Sequence, residues 1–276
     1  MKRASYSEIA AMLYDAHNHL QDARLHPWRA QVMADVATMG VAEAVVNGLT
    51  EADWPDVAAL AQANAWVRPS FGLHPWHVAA RSPGWLTTLE DWLRAFPGAA
   101  VGEIGLDRWI ENPDVPTQVA CFHAQLALAV KWQRPATIHC LRAWGLLEET
   151  LRSQSLPARG FLLHSYGGPV EMVPGLVKKG AYFSLSPYFG HPRKAAQLAT
   201  FQAVPLDRLL AETDAPDMAP PPELNEHPLG TSTPPLTHPA NLRVSYALLA
   251  ELRGMPLAEL IGHVGANHRR LFGAGD

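Results

Sequence analysis

His17 and His19 are separated by one residue in the segment 15–19 of this chain. If this segment is extended, both side chains leave the backbone on the same side, since alternate residues of a strand share a face. Two imidazoles that face one point form a pair of ligands for a divalent transition metal. A pair of loop histidines without a ligand is the other interpretation, so further donors are needed to decide between the two.

Four further residues with metal-binding side chains stand where the apolar pattern predicts that a strand ends or has just ended. They are Glu103, His139, His164 and Asp214, each assigned to a different strand. Six nitrogen and oxygen donors without a thiolate suit Zn²⁺, Mn²⁺ or Mg²⁺, and they are enough to hold two ions. Such a centre hydrolyses bonds, because a bound ion lowers the pKa of water from 15.7 toward about 7.

Short apolar segments alternate with longer stretches of helical periodicity along the chain. The predicted strands are residues 12–16, 44–47, 68–72, 100–104, 136–139, 160–164, 182–185 and 208–212. The predicted helices are residues 27–39, 53–64, 86–95, 116–132, 146–154, 170–179, 191–203, 241–252 and 257–271. Apolar strands separated by helices are typical of a parallel sheet. Eight such units predict an α/β protein with a (β/α)8 TIM-barrel fold and a single domain over residues 1–276.

A barrel of this kind would bring the six donors together. The carboxyl ends of its strands surround one mouth, where the active sites of this fold occur. The longest predicted irregular segment, residues 219–239, follows the eighth strand and is rich in proline. Because proline blocks regular structure, we expect this segment to form a loop at the same mouth.

The composition narrows the class of protein. The chain has 276 residues and a formal net charge of −4, which excludes a strongly basic nucleic-acid-binding domain but not a local basic patch. Its two cysteines, Cys121 and Cys140, are too few for a disulfide framework and favour a reducing compartment. The apolar run in residues 1–13 is short and is broken by Glu8. We therefore predict no signal peptide, no membrane partner, no disulfide partner and a cytoplasmic location.

Seven short motifs resemble those of the TatD-type metal-dependent hydrolases, which belong to the amidohydrolase superfamily. The motifs are DAHNHL (15–20), GLHPW (72–76), GEIGLD (102–107), IHC (138–140), LHSYGG (163–168), ETDAP (212–216) and NHRRLF (267–272). They extend from residue 15 to residue 272, and their order and spacing are more specific than any single motif. The resemblance implies a (β/α)8 barrel, in agreement with the strand count.

The resemblance also implies a role for each donor. One divalent ion would have four ligands, His17, His19, Glu103 and Asp214. A second would have three, Glu103, His139 and His164, so that the carboxylate of Glu103 bridges the two ions. His74 matches an active-site histidine that contacts the scissile group. We predict that Asp214 accepts the proton of the attacking water, and that Asp214, Glu103 and His74 are the catalytic residues.

Two departures from the family pattern lie near the expected mouth. The family usually has an aromatic residue directly after GLD, whereas this chain has Arg108 followed by Trp109. The family tends to place an arginine two residues after the histidine of the fifth strand, whereas Arg142 is three residues after His139. We predict that Arg108 and Arg142 bind the substrate together with His74, because a guanidinium matches a phosphate or a carboxylate. Arg193 and Lys194 are further candidates to meet the same group.

Three functions fit these residues. The resemblance implies a deoxyribonuclease whose substrate is DNA or another phosphodiester, and Trp76, Trp109 and Tyr188 are candidates to stack on its bases. The same barrel and metals also suit hydrolysis of an amide, an ester or a lactone, which Arg108 would favour by binding a carboxylate. The third function is that of a metal-binding relative without turnover, against which six intact donors argue.

Overall fold

Eight strands form one parallel sheet in the structure, a computed structural model that describes residues 12–230 and 234–273. Their bounds are β1 Leu13–Asn18, β2 Val41–Asn47, β3 Val67–Phe71, β4 Ala100–Asp107, β5 Ala136–Leu141, β6 Phe161–Leu163, β7 Ala181–Leu185 and β8 Leu209–Ala211. Every residue of β1, β4 and β7 is buried. Burial of both faces is expected of a parallel sheet that is covered by helices.

The sheet curves into a nearly closed barrel. Each strand is hydrogen-bonded to the next in chain order, from β1 to β8, and each of these pairs is parallel. β8 lies beside β1, and just beyond it the amide of Asp214 donates to the carbonyl of His17 over 2.9 Å. The predicted (β/α)8 TIM-barrel fold is confirmed.

Helices in the described part of the chain cover the outside of the barrel. Their bounds are α1 Arg29–Thr38, α2 Trp54–Ala63, α3 Trp85–Ala95, α4 Val115–Lys131, α5 Trp144–Ser153, α6 Val173–Lys178, α7 Ala195–Thr200, α8 Leu242–Arg253 and α9 Leu257–Phe272. Three of them, α1, α6 and α7, begin later than predicted, after short 3-10 turns. Pro27, Pro174 and Pro192 lie at these junctions, and proline is tolerated at a helix start because the first amide groups have no intrahelical partner.

The segment after β8 is more regular than its composition predicts. Its described residues contain a short antiparallel pair, β9 Pro228–Leu229 and β10 Leu236–Thr237. Arg24 forms ion pairs with residues on both sides of this end of the barrel. Its guanidinium donates to Asp217 over 2.7 Å and to Asp22 over 2.6 Å. The loop that follows β8 is thereby joined to the loop that follows β1.

Several sequence-based predictions concern residues that the structure does not describe. The single domain over residues 1–276 stays a prediction for that reason, and the absence of a signal peptide rests on residues 1–11, outside the described ranges. Within residues 12–230 and 234–273, no helix has both the length and the apolar character needed to cross a membrane. Cys121 and Cys140 are both free, so neither is part of a disulfide.

Candidate metal centre and active site

The six predicted metal ligands meet at the carboxyl ends of the strands. Three lie within strands, His17 in β1, Glu103 in β4 and His139 in β5. Three follow strands, His19 after β1, His164 after β6 and Asp214 after β8. Glu103 is not at the end of its strand as predicted, because β4 continues beyond residue 104 and pairs with β5 as far as Asp107.

Two glycines beside Glu103 allow β4 to pack closely on β5. A Cβ at position 102 would lie 1.7 Å from Oγ1 of Thr137, and a Cβ at position 105 would lie 2.0 Å from the carbonyl oxygen of His139. Gly105 also has a φ of 141°, which residues with a side chain rarely adopt. The close packing brings Glu103 and His139 together, with Oε1 of the first 3.0 Å from Nδ1 of the second.

The first cluster of donors consists of His17, His19, Glu103 and Asp214. The Nε2 atoms of the two histidines are 3.3 Å apart, and each lies 3.2 Å from Oε2 of Glu103. Oδ1 of Asp214 lies 3.6 Å from Nε2 of His17 and 3.4 Å from Nε2 of His19. Ligand atoms about 2.1 Å from an ion in a tetrahedron are about 3.4 Å apart, so these five separations fit a single metal ion.

The second cluster consists of Glu103, His139 and His164. Nδ1 of His139 and Nε2 of His164 are 3.1 Å apart, and they lie 3.0 Å and 2.9 Å from Oε1 of Glu103. Three protein donors are the number that a catalytic zinc ion takes when it keeps one position for water or substrate. The carboxylate of Glu103 thus offers Oε2 to the first cluster and Oε1 to the second, which fits the predicted bridging role.

Groups behind the clusters orient three of the histidines. Nδ1 of His19 donates to the carbonyl of Asn47 over 2.8 Å, and Nδ1 of His17 lies 3.1 Å from the side-chain amide of the same residue. Nε2 of His139 donates to Oδ2 of Asp107 over 2.9 Å. Each ring is therefore held with its other nitrogen toward the centre. Asn47 and Asp107 are not among the residues predicted from the sequence; a polar side chain at the last position of an apolar strand is the signal that points to them.

Asp107→Asn is expected to weaken metal binding at the second cluster by about 10- to 100-fold, the usual cost of losing the partner of a metal-binding histidine. Oδ2 of Asp107 accepts hydrogen bonds from both His139 and Nε1 of Trp76 (2.7 Å), while Oδ1 accepts from the amide of Trp109. An asparagine cannot accept at both ends of its side chain. Calorimetric titration of metal-free protein with Zn²⁺ measures the change.

Trp76→Phe is the matched control for this experiment. It removes the other hydrogen bond to Oδ2 of Asp107 and leaves the one from His139 in place. Its affinity for Zn²⁺ should therefore remain close to that of the wild type. Equal affinities in the wild type and in Asp107→Asn would show that Asp107 does not orient His139.

The charges of the centre suit divalent cations. Burial opposes ionisation of Glu103, but the charges of the surrounding histidines, His164 first among them, and the hydrogen bond with His139 together hold the pKa of Glu103 well below its usual value. Burial likewise opposes ionisation of Asp214, whose pKa is nevertheless lowered by the hydrogen bond with His19. Conversely, burial disfavours protonation of His164 and His19, but the carboxylates raise the pKa of both. Ionised carboxylates buried among imidazoles are a donor set that divalent metal ions bind.

His74 faces the same centre as a neutral imidazole. Its Nδ1 accepts a hydrogen bond from the amide of Trp76 over 3.2 Å, so the proton of the neutral ring is on Nε2, which lies 3.3 Å from Oε1 of Glu103. Burial lowers the pKa of His74 to about 4. A neutral ring with its N–H toward the centre is a hydrogen-bond donor, which fits the predicted contact with the scissile group better than a role as metal ligand.

A cavity of about 930 Å³ opens above the donors. Its floor includes five of the six candidate ligands, namely His19, Glu103, His139, His164 and Asp214. Trp76 and Trp109 line it with side chains that are about half exposed, and prolines from the segment after β8 form another part of its wall. The cavity can therefore admit a substrate to the two clusters.

The two arginines predicted to bind substrate do not line this cavity. Arg108 comes directly after the end of β4, and its side chain is exposed. Arg142 follows β5 in a left-handed conformation, with φ of 54°, and is exposed as well. A different arginine, Arg193, is among the described residues that line the cavity.

A (β/α)8 barrel with buried histidines and carboxylates that could bind metal at the carboxyl ends of its strands defines a metal-dependent hydrolase. Residues 14–273 match the model of the family described as TatD related DNase, and the chain therefore belongs to that family. The crystal structure of YJJV, a TatD homologue from Escherichia coli, is similar with a TM-score of 0.85 at 28% identity, covering 96% of this chain and 100% of that one.

The sequence comparisons agree with the family. The chain is 28% identical over 260 residues to a protein of Escherichia coli named uncharacterized metal-dependent hydrolase YjjV, which covers 94% of this chain and 96% of that protein. It is 26% identical over 262 residues to the 3'-5' ssDNA/RNA exonuclease TatD of Erwinia tasmaniensis, covering 94% of this chain and 99% of that protein. The resemblance predicted from the seven motifs is confirmed, and the chain is a metal-dependent hydrolase of the TatD family.

Proposed function

We propose that this enzyme hydrolyses phosphodiester bonds of DNA with two divalent metal ions. The observation that carries the proposal is the carboxylate of Glu103, which offers one oxygen to each of two donor clusters below a single cavity. Two-metal sites that cleave phosphodiesters hold their ions about 3.5–4 Å apart, close enough to share one carboxylate. When bound, such ions supply positive charge to the phosphate oxygens and a water that ionises near neutral pH.

The residues of the chain complete the reaction. Asp214 lines the cavity and is ionised at neutral pH, because the hydrogen bond with His19 lowers its pKa despite burial. It accepts the proton of the attacking water and orients that water. His74 donates from Nε2 to an oxygen of the phosphate or of the leaving group. Both side chains are buried, which strengthens both interactions.

The donor set favours zinc as the metal. Imidazole nitrogens suit Zn²⁺, whereas carboxylate oxygens and water suit Mg²⁺ and Mn²⁺. The six proposed ligands include the imidazoles of four histidines, His17, His19, His139 and His164. We therefore propose two ions of Zn²⁺, with Mn²⁺ and Mg²⁺ as weaker substitutes.

The relatives and the cavity together support a nucleic-acid substrate. The Erwinia tasmaniensis relative carries the name of an exonuclease for single-stranded DNA and RNA. Trp76 and Trp109 present exposed indole rings to the cavity, at 48% and 55% exposure. Rings of this kind stack on the bases of single strands, which a duplex does not offer. We therefore propose that single-stranded DNA is preferred over duplex DNA.

Hydrolysis of a small amide, ester or lactone is the second candidate. The observation in its favour is the apolar wall, to which Pro220, Pro222, Pro228 and Pro235 contribute among the described residues. An apolar wall with one arginine suits an uncharged substrate. The aromatic rings at the mouth and the named nuclease relative favour the phosphodiester.

A substrate screen tests the proposed function. Metal-loaded protein is incubated with a labelled single strand of DNA, the matching duplex, a chromogenic phosphodiester and a set of lactones, each with Zn²⁺, Mn²⁺ or Mg²⁺. We expect cleavage of the single strand and of the chromogenic phosphodiester. Cleavage of lactones alone would establish the second candidate, and no turnover of any compound would establish a metal-binding protein without activity.

The proposed location of the enzyme is the cytoplasm. Cys121 and Cys140 are both free and buried, and free thiols are typical of a reducing compartment. Cell fractionation followed by immunodetection measures the location.

A further inference from the structure

Three side chains on the loop between β7 and α7 form a group that we call the Tyr188 cluster: Tyr188, Arg193 and Lys194. The guanidinium carbon of Arg193 lies 5.2 Å from the centre of the Tyr188 ring, and Nζ of Lys194 lies 5.1 Å from it. Nη2 of Arg193 also donates to the hydroxyl of Tyr188 over 3.0 Å. Two cations are thus held on one aromatic ring, which restricts their positions.

The Tyr188 cluster borders the active-site cavity. Tyr188 and Arg193 line the same 930 Å³ space as Glu103 and Asp214. Among the described residues that line the cavity, Arg193 is the one whose side chain carries a permanent positive charge. A substrate that reaches the two donor clusters therefore passes within reach of this guanidinium.

The cations of the Tyr188 cluster are placed by contacts with an aromatic side chain. Arg193 contacts the ring and the hydroxyl of Tyr188, and Lys194 contacts the same ring. Asp217 lines the cavity too, but its carboxylate is taken by Arg24 at 2.7 Å. One of the five N–H groups of Arg193 donates to the hydroxyl of Tyr188. The other N–H groups of the guanidinium can donate to an anion.

We propose that Arg193 and Lys194 bind a phosphate group of the single strand next to the one that is cleaved, and that Tyr188 holds both cations in place. This inference rests on the proposed function, since it takes a polynucleotide as the substrate. It assigns the Tyr188 ring to the cations rather than to base stacking, which the exposed rings of Trp76 and Trp109 can perform. Of the four cations that the sequence offers for this role, it selects Arg193 and Lys194 on the loop after β7 over Arg108 and Arg142.

The dependence of binding on salt tests this subsite apart from catalysis. The probe is a fluorescein-labelled single strand of DNA with phosphorothioate linkages, and anisotropy gives its Kd for metal-loaded protein at several salt concentrations. Each phosphate contact with a single strand contributes about 0.7 to the slope of log K against log salt. Arg193→Gln and Lys194→Gln should each reduce that slope, and because the two cations share one phosphate the double variant should reduce it by about 0.7 in all and weaken binding about tenfold at low salt.

Matched variants separate this subsite from a general effect of charge. Arg108→Gln and Arg142→Gln remove the same charge from exposed positions outside the cavity, and they should leave the slope unchanged. Tyr188→Phe keeps the ring and loses the hydroxyl that accepts from Arg193, so it should weaken binding less than Tyr188→Ala.

Three other outcomes would contradict the proposal, and each identifies the part that is wrong. If the wild type binds the strand and Arg193→Gln has the wild-type slope, the subsite is wrong while the proposed function stands. If Arg108→Gln or Arg142→Gln lowers the slope instead, the assignment of the substrate to Arg108 and Arg142 is right. If the wild type binds no strand at all, the nucleic-acid substrate is wrong and the subsite with it.

Discussion

Glu103→Ala is expected to leave the protein without either metal ion and to lower hydrolysis by at least about 10³-fold. Both oxygens of the carboxylate are in use, since Oε2 lies 3.2 Å from Nε2 of His17 and Oε1 lies 2.9 Å from Nε2 of His164. Removing the side chain therefore takes a ligand from each cluster at once. Elemental analysis of dialysed protein by mass spectrometry gives the number of ions per chain, for which we expect two in the wild type.

Two further variants make this result specific. His164→Ala affects the second cluster, so it should lose chiefly one ion. Glu43→Gln replaces another buried glutamate, which pairs with Arg68 at 2.7 Å and lies near the amino end of β2. This control should keep both ions. Two ions per chain in folded Glu103→Ala protein would contradict the bridging role, and thermal melting shows which variants are folded.

Asp214→Asn is expected to keep the fold and most of the bound metal while turnover falls by about 10²- to 10⁴-fold, the usual contribution of a general base. Asparagine keeps a carbonyl oxygen for the cation but cannot accept a proton. Asp214 has a φ of 55°, a conformation that asparagine also tolerates. The hydrogen bond from the backbone amide of Asp214 to the carbonyl of His17 does not involve the side chain. The measurement is kcat together with metal content.

Asp217→Asn is the control for Asp214. Asp217 lines the same cavity, but its side chain is 53% exposed and pairs with Arg24. Exposed ion pairs contribute little, typically about 0–1 kcal/mol, so kcat should stay near the wild-type value. Near-normal turnover by Asp214→Asn would remove Asp214 as the proton acceptor and leave it only a place among the metal ligands.

The barrel was predictable because its signals are local in the sequence. A strand such as β5, predicted over residues 136–139 and observed at Ala136–Leu141, is an apolar run between helical stretches. His17 and His19 share a face because they are two residues apart in a strand that does form. The convergence of donors from different strands then follows from the fold, since the carboxyl ends of parallel strands meet at one end of the barrel.

Other features depend on backbone and side-chain directions that a linear pattern does not contain. The division of the two oxygens of Glu103 between two clusters is set by the packing of β4 on β5. Arg108 and Arg142 were assigned to the substrate by their distance in sequence from the motifs. Both side chains are exposed and do not line the cavity, and Arg142 has a left-handed backbone conformation after β5. Asp107 has a partner, His139, that is remote in the sequence.

The contact between β4 and β5 at Gly102 and Gly105 bears on how this enzyme can acquire new substrates. Any side chain at either position would force the two strands apart and displace Glu103 from His139. The mouth has no comparable restriction, since Arg108 and Trp109 are exposed. Natural or laboratory evolution can therefore exchange rim residues one at a time while the catalytic floor is inherited intact, and mutant libraries aimed at altered specificity are best confined to the loops.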